Sequence, residues 1–174
     1  MCIYSKFIDE KGMGRFMEYI NSQITEKGIL TISKYLILSV NGYFCAVKVP
    51  YVHKIVELPC VSSLSCAEPY ILGVTKVGGE VYTVLDLCVL FGAEPRVFSQ
   101  RTMAVLLTYE ESKICVVVDD VLTVTGIDID SAIYPFQKKC CIYGAVQSDD
   151  EIICLLSMDY LFRLGNVSNI LLRK

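Results

Sequence analysis

The spacing of hydrophobic positions changes character near residue 35. Ahead of that point Phe16, Ile20 and Ile24 recur every four residues, with Met13 and Met17 beside them and Glu18, Asn21 and Gln23 elsewhere on the wheel. That spacing predicts an amphipathic helix of about three turns, loosened at its start by Gly12 and Gly14 and ended by Gly28. Its apolar stripe must cover something: the chain's own domain, or a partner or oligomer helix. From Tyr35 onward the period is that of strands. Residues 36–40 and 44–49 flank Asn41-Gly42, a strong signal for a two-residue type I′ hairpin. Pro50 breaks the line, and residues 52–58 predict another strand up to Pro59.

A Ser/Cys-rich loop at 60–68 precedes the most informative stretch, residues 73–87. It reads as a strand, a turn enabled by Gly78-Gly79, and a second strand closing on an Asp86-Leu87 corner. One short helical turn at 87–91 and a Pro95-containing loop at 93–101 separate two strand sets. Strands at 103–109, 114–118 and 121–125 follow, then a hairpin of 142–147 and 151–156 that turns at 148–150. Ser157 suits the N-cap of a last helix carrying Tyr160, Leu161 and Leu164, which Gly165 can stop. About ten short strands with tight turns predict an all-β fold of closed antiparallel barrels, dividing into two five-strand units. The pattern lacks the strand–helix alternation of a dinucleotide-binding fold.

The chain has 174 residues, enough for one domain or two intimate subdomains without a metal or disulfide to hold them. The expected division is a helical extension over 1–32, a strand domain over 33–165 and a tail over 166–174. Hydrophobic residues at 53% and charged residues at 20% exclude a disordered chain. No apolar run approaches the ~20 residues of a membrane helix. The start, Met-Cys-Ile-Tyr-Ser-Lys, lacks the features of a signal peptide, so a cytoplasmic protein without direct membrane insertion is expected. A net charge of −3 gives no broad electrostatic reason to hold nucleic acid. Proteins or small molecules are the expected partners.

Candidate chemistry is sparse. The single histidine, His53, cannot assemble a triad or a His-rich metal site. Gly78-Gly79 lacks the spacing of a phosphate loop, and Asp119-Asp120 with Asp128-x-Asp130 lack the Glu and Gly of a calcium loop. Nine cysteines include no Cys-x-x-Cys pair; Cys45, Cys88, Cys115 and Cys154 lie in apolar runs as small core residues, and Cys140-Cys141 would bond only with strain. The expectation is a non-enzyme with no cofactor and no metal. A thiol- or metal-dependent protein is the remote alternative.

Residues 73–87 resemble the signature of the CheW-like chemotaxis coupling proteins, Gly-x-x-Asn-Leu-Arg-Gly followed by strand residues and Pro-Val-x-Asp-Leu. Gly73, Gly79, Val84, Asp86 and Leu87 match in register. Residues 55–58 (Ile-Val-Glu-Leu), 117–121 (Val-Val-Asp-Asp-Val), 144–146 and 152–156, and 158–161 are similar to further motifs of that family in the same order. The resemblance covers residues 34–164. It implies two five-stranded, SH3-like barrels with short helices, and a cytoplasmic scaffold that couples the chemoreceptor tip to the regulatory domain of the histidine kinase CheA. Other CheW-like domains are further implied partners. Ile55, Glu57, Lys76, Gly78 and Gly79 would then face the receptor, and Val116, Val118, Asp119 and Val121, on the second barrel, the kinase. Departures from the family pattern include Gly78, which stands at its Arg, Lys76 at its Asn and Thr83 at its Pro. On an extended strand Lys76 would share a face with position 78, restoring the charge of the missing Arg but not its fork of donors. A divergent adaptor with an altered receptor contact, serving a specialised array or a separate signalling cluster, is therefore the alternative reading.

Overall fold

The computed structural model describes residues 32–64, 68–99, 101–129, 141–148 and 151–166. The helix expected before residue 32, Cys140 and nearly all of the expected C-terminal tail lie outside them. Ten strands are present among the described residues: β1 (Ile32–Val40), β2 (Tyr43–Lys48), β3 (Val52–Glu57), β4 (Ile71–Val77), β5 (Glu80–Asp86), β6 (Met103–Tyr109), β7 (Ser112–Val118), β8 (Asp120–Asp128), β9 (Ile142–Ser148) and β10 (Glu151–Leu156). Two short helices accompany them, α1 (Leu87–Leu90) and α2 (Met158–Leu164). β1 already begins at Ile32, a residue expected in the extension.

Both predicted glycine turns form. Asn41 and Gly42 take φ of 50° and 77°, and Gly78 and Gly79 take 60° and 88°. Positive φ at both central residues matches the turn to the right-handed twist of the flanking strands, and it places Val40 opposite Tyr43 and Val77 opposite Glu80.

The strands make two five-stranded sheets, ordered β8-β1-β2-β10-β9 and β3-β6-β7-β5-β4. The second is built from consecutive strands, inserted between β2 and β8 of the first. Purely antiparallel barrels were expected, but β2 pairs β10 and β5 pairs β7 in parallel. Each parallel pair joins strands far apart in sequence, so no hairpin turn could announce it.

Three apolar clusters result. Tyr35, Ile37, Ala46, Val146 and Leu155 fill the first sheet's own curl. Tyr82, Val84, Ala104, Leu106, Cys115 and Val117 fill the second. The largest lies between the sheets and takes Leu36, Leu38 and Val47 from one side and Val105, Leu107, Ile114, Val116 and Val118 from the other. β6 and β7 are therefore buried on both faces, which is why their sequences read as unbroken apolar runs rather than alternating ones. α1 starts where Asp86 accepts hydrogen bonds from the Cys88 and Val89 amides (2.9 and 3.3 Å). α2 starts where Ser157 Oγ accepts from the Tyr160 amide (3.3 Å).

Candidate functional site

β3 is an edge of the second sheet, and its residues alternate. Val56 turns into the second sheet's core, while Ile55 (40% exposed) and Glu57 remain at the surface. On β4, Thr75 is buried and Lys76 is exposed opposite Val81, itself 57% exposed. The strand ends at Val77. Gly78 and Gly79 are the two turn residues, so the expected shared face of Lys76 and position 78 does not exist: the backbone reverses before it.

β3 and β4 stand at opposite ends of the strand order, yet a closing segment joins them. Ser62 exchanges backbone hydrogen bonds with Val74 (2.8 and 2.9 Å), and Thr75 Oγ1 donates to the Cys60 carbonyl (2.8 Å). Gly73 permits this closure. A Cβ there would meet the Ser62 carbonyl oxygen at 2.1 Å, and Gly73 has φ of +140°. Glu57 and Cys60 are three residues apart, at most ~11 Å of chain. Glu57 and the Lys76 hairpin thus flank one seam. Beside the hairpin, Lys113 Nζ donates to Glu80 Oε1 (2.5 Å) and Tyr82 donates to its Oε2 (3.1 Å); the Lys113 hydrogen bond leads in holding the Glu80 carboxyl below its ordinary range.

The second candidate set needs correction. Val116 and Val118 are buried, both facing the shared core, because β7 is the central strand of its sheet and is covered on both sides. Neither side chain is available to a partner. Nor does the set lie on one barrel: Val116 and Val118 belong to the second sheet, together with the receptor candidates, whereas Val121 belongs to β8 of the first. Val121 is half-buried against the shared core.

Asp119, at the crossing between sheets, is a tie. Its Oδ2 accepts from the Asn41 amide (2.6 Å) and its Oδ1 from Arg96 Nη1 (2.5 Å), while its own amide donates to the Ser39 carbonyl (2.9 Å). Burial pushes its carboxyl up, but the Arg96 and Asn41 hydrogen bonds outweigh that and hold it below the ordinary range. Arg96 also donates to Cys88 Sγ (3.2 Å) and lies over the Phe98 ring.

Sequence reasoning missed the exposed apolar residues of β8, Leu122 (45%) and Val124 (53%). They alternate with Thr123 and Thr125, and such alternation ordinarily marks the apolar members as core. Here the sheet continues outward past the cover of its neighbour.

His53 is exposed on the β3 edge, and among the described residues no group of three or more His, Cys, Asp or Glu could hold a metal ion. Cys60 is exposed, whereas Cys45, Cys88, Cys115, Cys141 and Cys154 are buried. Burial pushes the thiols of Cys88, Cys115 and Cys154 up to about 12. Among the described residues no helix is long and apolar enough to cross a membrane.

Comparison with known proteins supplies the context. The family model of the CheW-like domain matches residues 34–165. The chemotaxis protein CheW of Bacillus subtilis (strain 168) is 30% identical over 113 residues, covering 63% of this chain and 72% of that protein. The crystal structure of the scaffolding protein TtCheW from Thermoanaerobacter tengcongensis matches with a TM-score of 0.64 at 20% identity, over 74% of this chain and 90% of that one, a likeness of fold.

Proposed function

The chain belongs to the CheW-like domain family, and from that premise we propose that it is a non-catalytic adaptor coupling chemoreceptors to the histidine kinase CheA. The observation that carries this reading is the match over residues 34–165, which takes in both sheets and the shared core between them. A scaffold of this kind works through surfaces held in fixed relation, and one continuous apolar core between two sheets supplies that rigidity.

The seam surface fits a receptor hairpin tip. Ile55 offers an apolar contact, Glu57 and Lys76 offer opposite charges at its margins, and the Gly78-Gly79 turn allows close backbone approach. On the kinase side the proposal keeps Asp119 and Val121 and drops the two buried valines. Contacts of this size are modest singly, and repetition in an array raises their avidity.

The purified full chain, titrated into the regulatory domain of CheA and separately into a receptor-tip fragment, is expected to bind both at micromolar concentrations. Binding to neither ends the proposal. A second reading, an adaptor with an altered receptor contact, is favoured by one observation: a left-handed glycine, φ +60°, occupies the position where the family pattern carries Arg. Gly78→Arg separates the two. Tighter receptor binding would mean that the site still faces a receptor; unchanged affinity would mean that it no longer does.

A further inference from the structure

We propose that one end of the second sheet is a docking site for an extended peptide segment of a partner protein. A cleft there takes an aliphatic side chain, and an aromatic ledge flanked by carboxylates takes a Lys or Arg two residues away. The register brings the tips of the β4–β5 and β6–β7 hairpins to this end: Val77 lies opposite Glu80, Tyr109 opposite Ser112, and Thr83 beside Ile114 in the parallel pair. The end of α2 is pressed onto β7, since a Cβ at Gly165 would lie 2.2 Å from Ile114 Cγ2. Between these elements lies a cleft of about 270 Å³. Ile114 and Phe162 line it and are buried, whereas Val81, which also lines it, is 57% exposed. The volume falls below the ~300–1,000 Å³ of sites for drug-sized ligands. It suits a single side chain.

Phe162 serves both parts of the site. Its ring lies 6.0 Å from that of Tyr109 and 6.1 Å from that of Tyr51, and the two tyrosine rings meet edge to face at 5.3 Å. Contact with two other rings fixes the Tyr109 ring, yet the residue remains 45% exposed. Its phenol lies in the field of the Glu110 and Asp159 carboxylates; Glu110 leads, ahead of Tyr51, in pushing it up. Both acidic residues are exposed, and among the described residues neither carboxylate has an ion pair. Two cations of these elements are engaged elsewhere, Lys113 with Glu80 and Arg163 at 5.8 Å from the Tyr160 ring centre. An exposed aromatic face beside two such carboxylates attracts a cation in two ways, through the ring quadrupole and through ordinary charge. Alternate residues of an extended segment project to one face ~6.6 Å apart, close to the separation of the Phe162 and Tyr109 rings. One segment can thus reach cleft and ledge together, and an acidic segment would be repelled from the ledge. The proposal does not depend on the coupling role.

The test is an NMR titration of the isotope-labelled full chain with the peptide Gly-Leu-Ser-Arg-Gly. Amide shifts confined to residues 81–83, 109–114 and 159–165, with a Kd of about 1 mM, are the expected result. Glu in place of the peptide's Arg, or Ser in place of its Leu, should each weaken binding by about tenfold. Tyr109→Leu keeps an apolar residue but removes the ring, and should weaken the Arg peptide about two- to fivefold. Glu110→Gln with Asp159→Asn changes only exposed groups and so leaves the fold intact; it should weaken the Arg peptide and not the Glu peptide. No shifts at about 10 mM peptide, shifts elsewhere on the chain, or equal binding of the Arg and Glu peptides overturn the proposal. Shifts of the same resonances on simple dilution of the chain would assign the site to a second copy and overturn it equally.

Discussion

Asp86 is fully buried and does one thing in this fold: it caps α1. Its Oδ1 accepts from two amides, while Oδ2 has no hydrogen-bond partner among the described residues. Burial, only partly offset by the Val89 and Cys88 amides, raises its carboxyl above the ordinary range. The folded state therefore binds the proton more tightly than the unfolded chain, and this group's contribution to stability is lost as pH rises through the folded-state value. Asn keeps one acceptor for the cap and removes the ionisation. Asp86→Ala is expected to cost about 1–2 kcal/mol at neutral pH, whereas Asp86→Asn should stay within about 1 kcal/mol of wild type. The gap between Asn and wild type should also move in favour of Asn between pH 4 and pH 7. Urea midpoints across that range decide the matter; parallel pH profiles for the two proteins would show that Asp86 does not ionise in the way burial dictates.

At the scale of elements, two glycines of the 73–79 stretch face opposite demands. At Gly73 the obstruction is backbone, the Ser62 carbonyl, and backbone cannot rotate aside as a side chain does. Gly73→Ala must therefore push the closing segment off β4, breaking both Ser62–Val74 hydrogen bonds, at an expected cost of about 3 kcal/mol or more. At Gly78 nothing lies within 4 Å of the added Cβ, so Gly78→Ala meets only left-handed backbone strain, about 1–2 kcal/mol. Thermal unfolding of the two variants side by side should separate them clearly, and equal destabilisation would refute the closure role of Gly73. The turn was legible because Gly-Gly between apolar runs has a local backbone meaning. The close approach at Gly73 was not, because Ser62 is eleven residues away and only the closed barrel brings it near. The same limit explains Val116 and Val118. A run such as residues 114–118, apolar at every position, carries no alternation to say which members face solvent, and here none does. On β8 the alternation was present and its ordinary meaning failed, because Leu122 and Val124 lie beyond the reach of the opposing sheet.

The molecule as a whole is two sheets that share their largest core, and this decides how it comes apart. Each sheet's private core is small, while Leu36, Leu38 and Val47 of the first sheet are buried in one cluster with Val105, Leu107 and Val116 of the second. Separating the sheets would bare both sides of that interface at about 25 cal/mol per Å² of apolar surface. The chain path adds a constraint, since the second sheet is inserted between β2 and β8 and its unfolding loosens the strand order of the first. A single cooperative transition is expected. Two buried thiols allow each sheet to be followed separately. Cys115 lies in the second sheet's own core and Cys154 on β10 of the first, and with both thiols pushed up to about 12 only about one in 10⁴ of either is ionised at pH 8. Pulsed alkylation along a urea series, read site by site by peptide mass, should give one midpoint for both cysteines. Leu38→Ala, in the first sheet, should lower the two midpoints together, by an amount equivalent to about 2–5 kcal/mol. If only the Cys154 midpoint moved, the sheets would be independent modules, and the rigid relation between surfaces that an adaptor requires would have to come from its partners rather than from its own core.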